Sequence, residues 1–223
     1  MQKNNHRPQL LLAGFMGVTL FGLIVTLLVS KQQNQPPEVA IDSPSDQSGL
    51  FPPGVLVLPE FSFLNSHGAS VSNENFIGKF CVADIIFTRC SGPCAMMTQR
   101  MKHLQEAVSD VDDVQFLSLT ADPNYDTQEI LSKYAEKFEA QTETWHFLTG
   151  EKEMIYRFAM KGLKLAVDEN DPESNDSYQD LFIHSTRFVL IDPAGSIRGY
   201  FDGRLEETET EIIEAIQSIR TSL

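Results

Sequence analysis

Apolar and polar positions alternate over residues 60–64 and again over 69–71, which predicts two short strands. Asn65-Ser-His-Gly68 joins them as a turn, with Gly68 supplying a permissive backbone. Residues 79–87 are mostly apolar and carry β-branched side chains, the pattern of a buried strand. From Pro93 onward, Met97, Met101, Leu104 and Val108 recur at helical spacing, with Gln99, Arg100, Lys102 and Gln105 between them as the wet face. Residues 114–119 then read as a strand, 127–138 as a helix, 145–148 as a short strand and 152–159 as a helix. A polar, acidic stretch at 167–180 follows. The pattern resumes as a hairpin, 185–191 and 196–201, around Asp192-Pro-Ala-Gly195. Residues 206–219 close the chain as a helix with Ile212, Ile213, Ile216 and Ile219 on one face. Such alternation of strand and helix predicts an α/β sheet with a parallel core and crossover helices.

Ahead of residue 58 the pattern changes twice. Residues 10–29 form a run of 20 without a charge. As a helix at about 1.5 Å per residue they span roughly 30 Å, the hydrocarbon thickness of a bilayer. Lys3 and Arg7 precede this run and Lys31 follows it, a bias that leaves the N-terminus in the cytoplasm. The rival reading is a cleaved signal peptide, but the run exceeds the usual apolar region and Leu28-Val-Ser-Lys31 is a poor cleavage site. No Arg- and Ser-rich leader precedes it, so the expected setting is a bacterial inner membrane with the soluble domain in the periplasm. Residues 30–57, rich in Gln, Pro, Ser and Asp, read as a flexible tether. The expected organisation is a cytoplasmic N-terminus at 1–9, a transmembrane helix at 10–29, the tether at 30–57 and one folded domain at 58–223.

Composition adds two constraints. A hydrophobic content of 42% supports a packed core. The formal charge is −14, and setting aside Lys3, Arg7 and Lys31 leaves 14 basic against 31 acidic residues, or −17, beyond position 31. That balance argues against nucleic acid as a partner and suits a solvated acidic surface able to steer cations or basic proteins.

An early hairpin, then β-α-β-α, a late antiparallel hairpin and a final helix resemble the thioredoxin-like arrangement, a mixed sheet flanked by helices. A cysteine pair stands where the first core strand meets its helix, in Phe87-Thr-Arg-Cys-Ser-Gly-Pro-Cys94. Unpaired backbone donors at such a junction favour thiolate, so the thiols are expected to be acidic. Four-residue spacing sets both sulfurs on one side of the first turn, while Gly92 and Pro93 allow a tight approach and begin the helix. Two such thiols can hold a soft metal ion, exchange with other thiols, or close a structural disulfide. His184 narrows the choice. It begins the predicted strand His184-Ser-Thr-Arg-Phe-Val-Leu-Ile, where thioredoxin-like folds return to the mouth of the cysteines and usually place a cis-proline. Ile183-His184-Ser185 contains no proline, and a neutral imidazole there suits copper, which accepts nitrogen as well as sulfur.

At these residues the chain resembles the Sco/SenC family, membrane-tethered thioredoxin-like proteins associated with assembly of the copper site of cytochrome c oxidase. The resemblance covers residues 58–220. It is carried by Phe87-Thr88-x-Cys90-x-x-x-Cys94, by Ser118-Leu-Thr-Ala-Asp122-Pro123 with Asp126-Thr127 after it, by Trp145-His-Phe-Leu-Thr-Gly150, by His184-Ser185 and by Asp192-Pro-x-Gly195. It implies that Cys90, Cys94 and His184 are the ligands of copper, as Cu(I) or Cu(II), and it leaves open electron exchange between the cysteine pair and partner thiols. The implied partners are the copper-bearing subunit of the oxidase, other copper chaperones and thiol-redox proteins. Ala95 stands where many members carry proline and is read as a local variation at the start of the helix. Asp84 lies mid-strand, where similar proteins often have an acid; it either tunes the thiols or binds a partner, or else satisfies a local hydrogen-bond network.

Three functions are thus in play. A copper-binding metallochaperone is favoured over an enzyme. A membrane-anchored thiol-disulfide oxidoreductase would keep partner cysteines reduced, with Cys90 as the exposed nucleophile. A non-catalytic binding or sensing domain would use Cys90 and Cys94 only as a structural disulfide. A peroxidase is disfavoured, because peroxiredoxins place Thr three before the reactive Cys in P-x-x-x-T-x-x-C, whereas Thr88 is two before Cys90 and Asp84 is no proline. Cys81 reads as a buried, inert thiol, and Met96, Met97 and Met101 as core packing. His67, His103 and His146 lack a second ligand at useful spacing and are set aside.

Overall fold

Gly68, at φ +80°, turns the chain between two short antiparallel strands, β1 (Ser62–Asn65) and β2 (Ser70–Ser72). This is a computed structural model, and it describes residues 50–90, 92–169 and 182–222, with 167–169 and 182–184 described by their backbone course. The apolar run at 79–87 becomes β3 (Phe80–Ile86), buried along its whole length. Two crossovers follow, through α1 (Pro93–Ala107) to β4 (Val114–Thr120), and through α2 (Gln128–Lys137) to β5 (Trp145–Thr149). β3, β4 and β5 are parallel in register, Ala83 beside Leu117 and Leu117 beside His146. The later elements are α3 (Lys152–Arg157), β6 (Val167–Glu169), β7 (Phe182–His184), β8 (Arg187–Ile191), β9 (Ile197–Asp202) and α4 (Thr208–Arg220).

Seven strands form one mixed sheet in the order β2-β1-β5-β4-β3-β8-β9. Alternation along β3 divides its side chains between two cores. Cys81, Ala83 and Ile85 join Phe61, Phe63, Leu117 and Phe158 on one face, while Phe80, Val82 and Ile86 join Met97, Met101, Trp145, Ile212 and Ile216 on the other. Each fully buried Leu, Ile, Phe or Met among them contributes roughly 1.5–3 kcal/mol. A mixed sheet covered by helices on both faces is the thioredoxin-like architecture expected from the pattern.

Four local features depart from the expectation. The polar, acidic stretch at 167–180 carried no strand expectation, yet its first three residues form β6, which pairs antiparallel with β7 as a separate two-stranded sheet. His184 therefore ends β7 instead of beginning β8. The Ser185 N–H donates to the Ala166 carbonyl at 3.0 Å and the Gly203 N–H to the Thr186 carbonyl at 2.8 Å, so the chain changes partners between the two strands. The helix expected at 152–159 passes at Phe158–Gly162 into a π-helical turn. There the Leu163 N–H reaches back to the Phe158 carbonyl, and a Cβ on Gly162 would stand 2.9 Å from the Phe158 ring. Finally, residues 50–57, read as the end of a tether, lie against β9: the Phe51 N–H donates to the Arg198 carbonyl at 2.7 Å, and the Phe51 ring meets Tyr200 edge-on. The apolar run at 10–29 lies outside the described residues.

Candidate metal centre

Beyond Ile86 the chain turns at once. The Cys90 N–H donates to the Phe87 carbonyl at 3.1 Å, which makes Thr88 and Arg89 the two central residues of a four-residue turn. The connection between β4 and α2 pins both. The Thr88 N–H donates to Asp126 Oδ2 at 3.1 Å and the Thr88 hydroxyl to Asp126 Oδ1 at 2.5 Å, while the Thr120 hydroxyl donates to Oδ2 at 2.5 Å. Asp126 is fully buried. Burial raises its carboxyl above the ordinary value, against hydrogen bonds from Thr120 and Thr88 that lower it. The Arg89 guanidinium pairs with Asp122 and lies 4.2 Å from the centroid of the Tyr125 ring.

Pro93 occupies the first turn of α1 behind Gly92, and no side chain caps that helix. Cys94 follows Pro93 and is fully buried, whereas Cys90 is partly exposed; both are free thiols. The Cys94 thiol is hydrogen-bonded to Cys90, which together with burial pushes it well above the ordinary cysteine value. The Phe87 backbone N–H opposes this, and the charges of Cys90 and Asp84 add to it. The expectation of acidic thiols is therefore reversed at Cys94: placed inside the core, it shares its proton with a second sulfur, and the helix start does not compensate. A bound cation inverts that balance, because it takes the place of the proton.

Asp84 is buried and accepts from the Ser118 hydroxyl at 2.6 Å, and the Trp145 indole N–H donates to the same hydroxyl at 2.9 Å. The local network expected of Asp84 is thus present, and its charge also bears on Cys94. Ala95, the departure from the family pattern, sits on a helix that Pro93 has already begun.

His184 belongs to the same end of the sheet. β8 is antiparallel to β3, so Arg187, and His184 three residues before it, stand where β3 delivers the cysteines. Gly203 marks how closely the two segments approach. A Cβ there would lie 3.0 Å from Met97 Cγ and Cε and 3.1 Å from the Thr186 carbonyl oxygen. Met97 is three residues after Cys94 and Thr186 two after His184.

The residues set aside are engaged by packing or by other partners. Cys81 is buried, and burial raises its thiol. Met97 and Met101 are core, but Met96 is 40% exposed, so it does not pack as the spacing suggested. His67 bonds Thr142, and His103 lies beside Gln99 and Glu209. His146 packs edge-on against Phe76. Among the described residues no three His, Cys, Asp or Glu side chains are grouped so as to hold a metal ion. Thr88, Asp122 and Asp126 belong to the family motifs, but their spacing alone assigns them no role. The recurrence of Thr and Asp in Phe87-Thr88-x-Cys90 and Thr120-Ala-Asp122 was the available signal.

A turn that presents one thiol, a helix start that buries its partner, and a mixed sheet that carries both define a thioredoxin-like dithiol protein. The SCO1/SenC family profile matches residues 53–221, and the chain belongs to that family. A Bacillus subtilis protein described as a SCO1 protein homolog is 33% identical over 163 residues, 72% of this chain and 81% of that one. A SCO1/SenC family lipoprotein from Bacillus anthracis superposes with a TM-score of 0.64 at 32% identity, covering 73% of this chain and 94% of its own. BsSco, described as a member of the Sco family of cytochrome c oxidase assembly proteins with a disulfide switch, superposes with a TM-score of 0.63 at 32% identity, covering 76% and 96%. Solved proteins of this fold include copper-bound forms.

Proposed function

We propose that this chain is a metallochaperone that binds copper through Cys90, Cys94 and His184 and delivers it to the copper-bearing subunit of cytochrome c oxidase. The observation that carries the reading is the hydrogen-bonded pair Cys90 and Cys94 at the end of β3, with the chain at His184 returning to the same end. Two sulfurs and one imidazole suit copper in either oxidation state. Binding releases the thiol protons. The unequal burial of the two sulfurs gives release an order: an incoming ligand of the recipient reaches Cys90 first, while buried Cys94 holds the metal until exchange is under way.

The uncharged run at 10–29 is assigned as a single span in a bacterial inner membrane, with residues 1–9 cytoplasmic and the domain in the periplasm.

Anaerobic titration of the reduced, detergent-solubilised full chain tests the copper reading. About one copper per chain is expected, with His184→Ala weakening Cu(II) by at least about tenfold and Cys90→Ser or Cys94→Ser abolishing tight binding. A wild-type chain that retains no copper, or a His184→Ala chain that binds as wild type, overturns it.

The contact between the two thiols also favours a second reading, reduction of a partner disulfide. Cys90 as thiolate attacks one partner sulfur and the other leaves; Cys94 then displaces the first, so the partner gains two electrons and its protons while Cys90 and Cys94 form a disulfide. Cys94→Ser is expected to trap the mixed disulfide in cells, and recovery of none counts against this reading.

A further inference from the structure

Asp126 is a buried carboxylate whose three close donors are the Thr88 N–H, the Thr88 hydroxyl and the Thr120 hydroxyl. Burying a carboxylate is unfavourable, and a neutral side chain would tie β4 to its neighbour at lower cost. The charge is spent on one residue in particular, because two of the three donors belong to Thr88, two positions before Cys90. Thr88 is a central residue of the turn that the Cys90 N–H closes onto the Phe87 carbonyl. Phe87 in turn gives its backbone N–H to Cys94. A single chain of hydrogen bonds therefore runs from Asp126 through Thr88 to the segment that positions both sulfurs. Asp126 is itself fixed, since its N–H donates to the Asp122 carbonyl at 2.8 Å and the Asp122 N–H donates to the Thr120 hydroxyl at 2.9 Å.

We propose that Asp126 is a positioning residue for the dithiol: acting through Thr88, it holds the Phe87–Cys90 turn so that Cys90 faces Cys94 at the spacing a shared metal ion needs. The inference rests on the reading of Cys90 and Cys94 as a working pair. It assigns to Asp126 no contact with the metal and no proton transfer. Asparagine is the conservative replacement, because its amide oxygen can accept from the Thr88 N–H and the Thr120 hydroxyl while its NH2 donates to a reoriented Thr88 hydroxyl.

The test uses the full chain in detergent and four variants: Asp126→Ala, Asp126→Asn, Thr88→Val and Asp192→Ala. Asp192 is also a buried carboxylate, bound to Arg198 and to the Ala194 and Ser196 N–H groups, but it sits at the opposite end of the sheet and controls for a loss of stability alone. Two quantities are read at a temperature where each variant is folded: the rate at which a Cu(I) chelator strips the metal, and the alkylation rate of Cys90 in the reduced, metal-free chain. Asp126→Ala is expected to release copper at least about tenfold faster and to alter Cys90 alkylation by about fivefold or more, with Thr88→Val moving both in the same direction. Asp126→Asn is expected within about threefold of wild type and Asp192→Ala within about twofold, although its thermal midpoint falls. Asp126→Ala matching wild type in both rates overturns the proposal, as does Asp192→Ala accelerating release equally. Should Asp126→Ala fail to fold, Thr88→Val decides by the same two rates. A wild-type chain that holds no copper refutes the metallochaperone reading instead, and the alkylation rates then decide the role of Asp126 alone.

Discussion

His146 places an imidazole edge-on to Phe76 at 5.6 Å, with its Nδ1 buried and unbonded. Burial, and after it the charge of Lys79, hold the ring below its ordinary value of 6.5. Below that pH the unfolded chain takes up a proton that the folded chain refuses. Stability from this group is therefore complete above about pH 6.5 and is lost as the pH falls through the depressed value. The thermal midpoint of wild type is expected to drop more than that of His146→Leu between about pH 7.5 and about pH 5, and parallel drops would refute the assignment. The residues legible in advance were those whose neighbours are close in sequence. Cys90 and Cys94 declared themselves by spacing, Met97 and Met101 by period, and Cys81 by its apolar run. The partners of Thr88 and Arg89 were not legible, because Asp126 lies 38 positions from one and Asp122 lies 33 from the other. Only the parallel pairing of β3 with β4 brings them together. The raised Cys94 thiol is not legible in sequence for the same reason: a helix start is a local feature, whereas burial is a property of the whole core.

At the scale of elements, β8, β9 and α1 converge on Gly203. Its missing side chain lets the Thr186 carbonyl and the Met97 side chain come together. Met97 can yield to an added methyl group, but the Thr186 backbone, hydrogen-bonded to the Gly203 N–H, cannot move without shifting the strand that follows His184. Gly203→Ala is expected to cost about 1–3 kcal/mol of stability, read by urea unfolding. A change below about 0.5 kcal/mol would show the contact to be soft. The central strands were readable because burial on both faces leaves an almost unbroken apolar run, and α1 because its buried positions keep the helical period. β6 was not readable, since Val167-Asp-Glu169 carries no apolar alternation and earns its pairing only from Phe182–His184 opposite. The π-helical turn was equally hidden. At Gly162 the Phe158 ring lies where a side chain would stand, a packing relation that the spacing of apolar residues does not express.

For the molecule as a whole, the assigned span and the acidic domain make separate demands. The full chain is expected in the membrane fraction and to resist extraction by high salt or alkaline carbonate. Recovery in the soluble fraction after such a wash would exclude an integral span. Beyond position 31 the net charge of −17 concentrates cations near the domain whatever its site chemistry. Capture of copper should therefore slow as ionic strength rises.

Among the described residues, β6 and β7 pair only with each other, outside the seven-stranded sheet. Cys94 and His184 are 90 positions apart in the sequence. On the proposed ligand set, one ion bound to both would act as a removable cross-link across a long loop, the case in which tying two points together withdraws several kcal/mol of freedom from the unfolded chain. Loading with copper is then expected to raise the thermal midpoint and to protect the small sheet from proteases, and a chelator should undo both effects. Delivery of the cargo would leave the carrier measurably easier to unfold, a difference by which a cell's quality control could tell an emptied carrier from a full one.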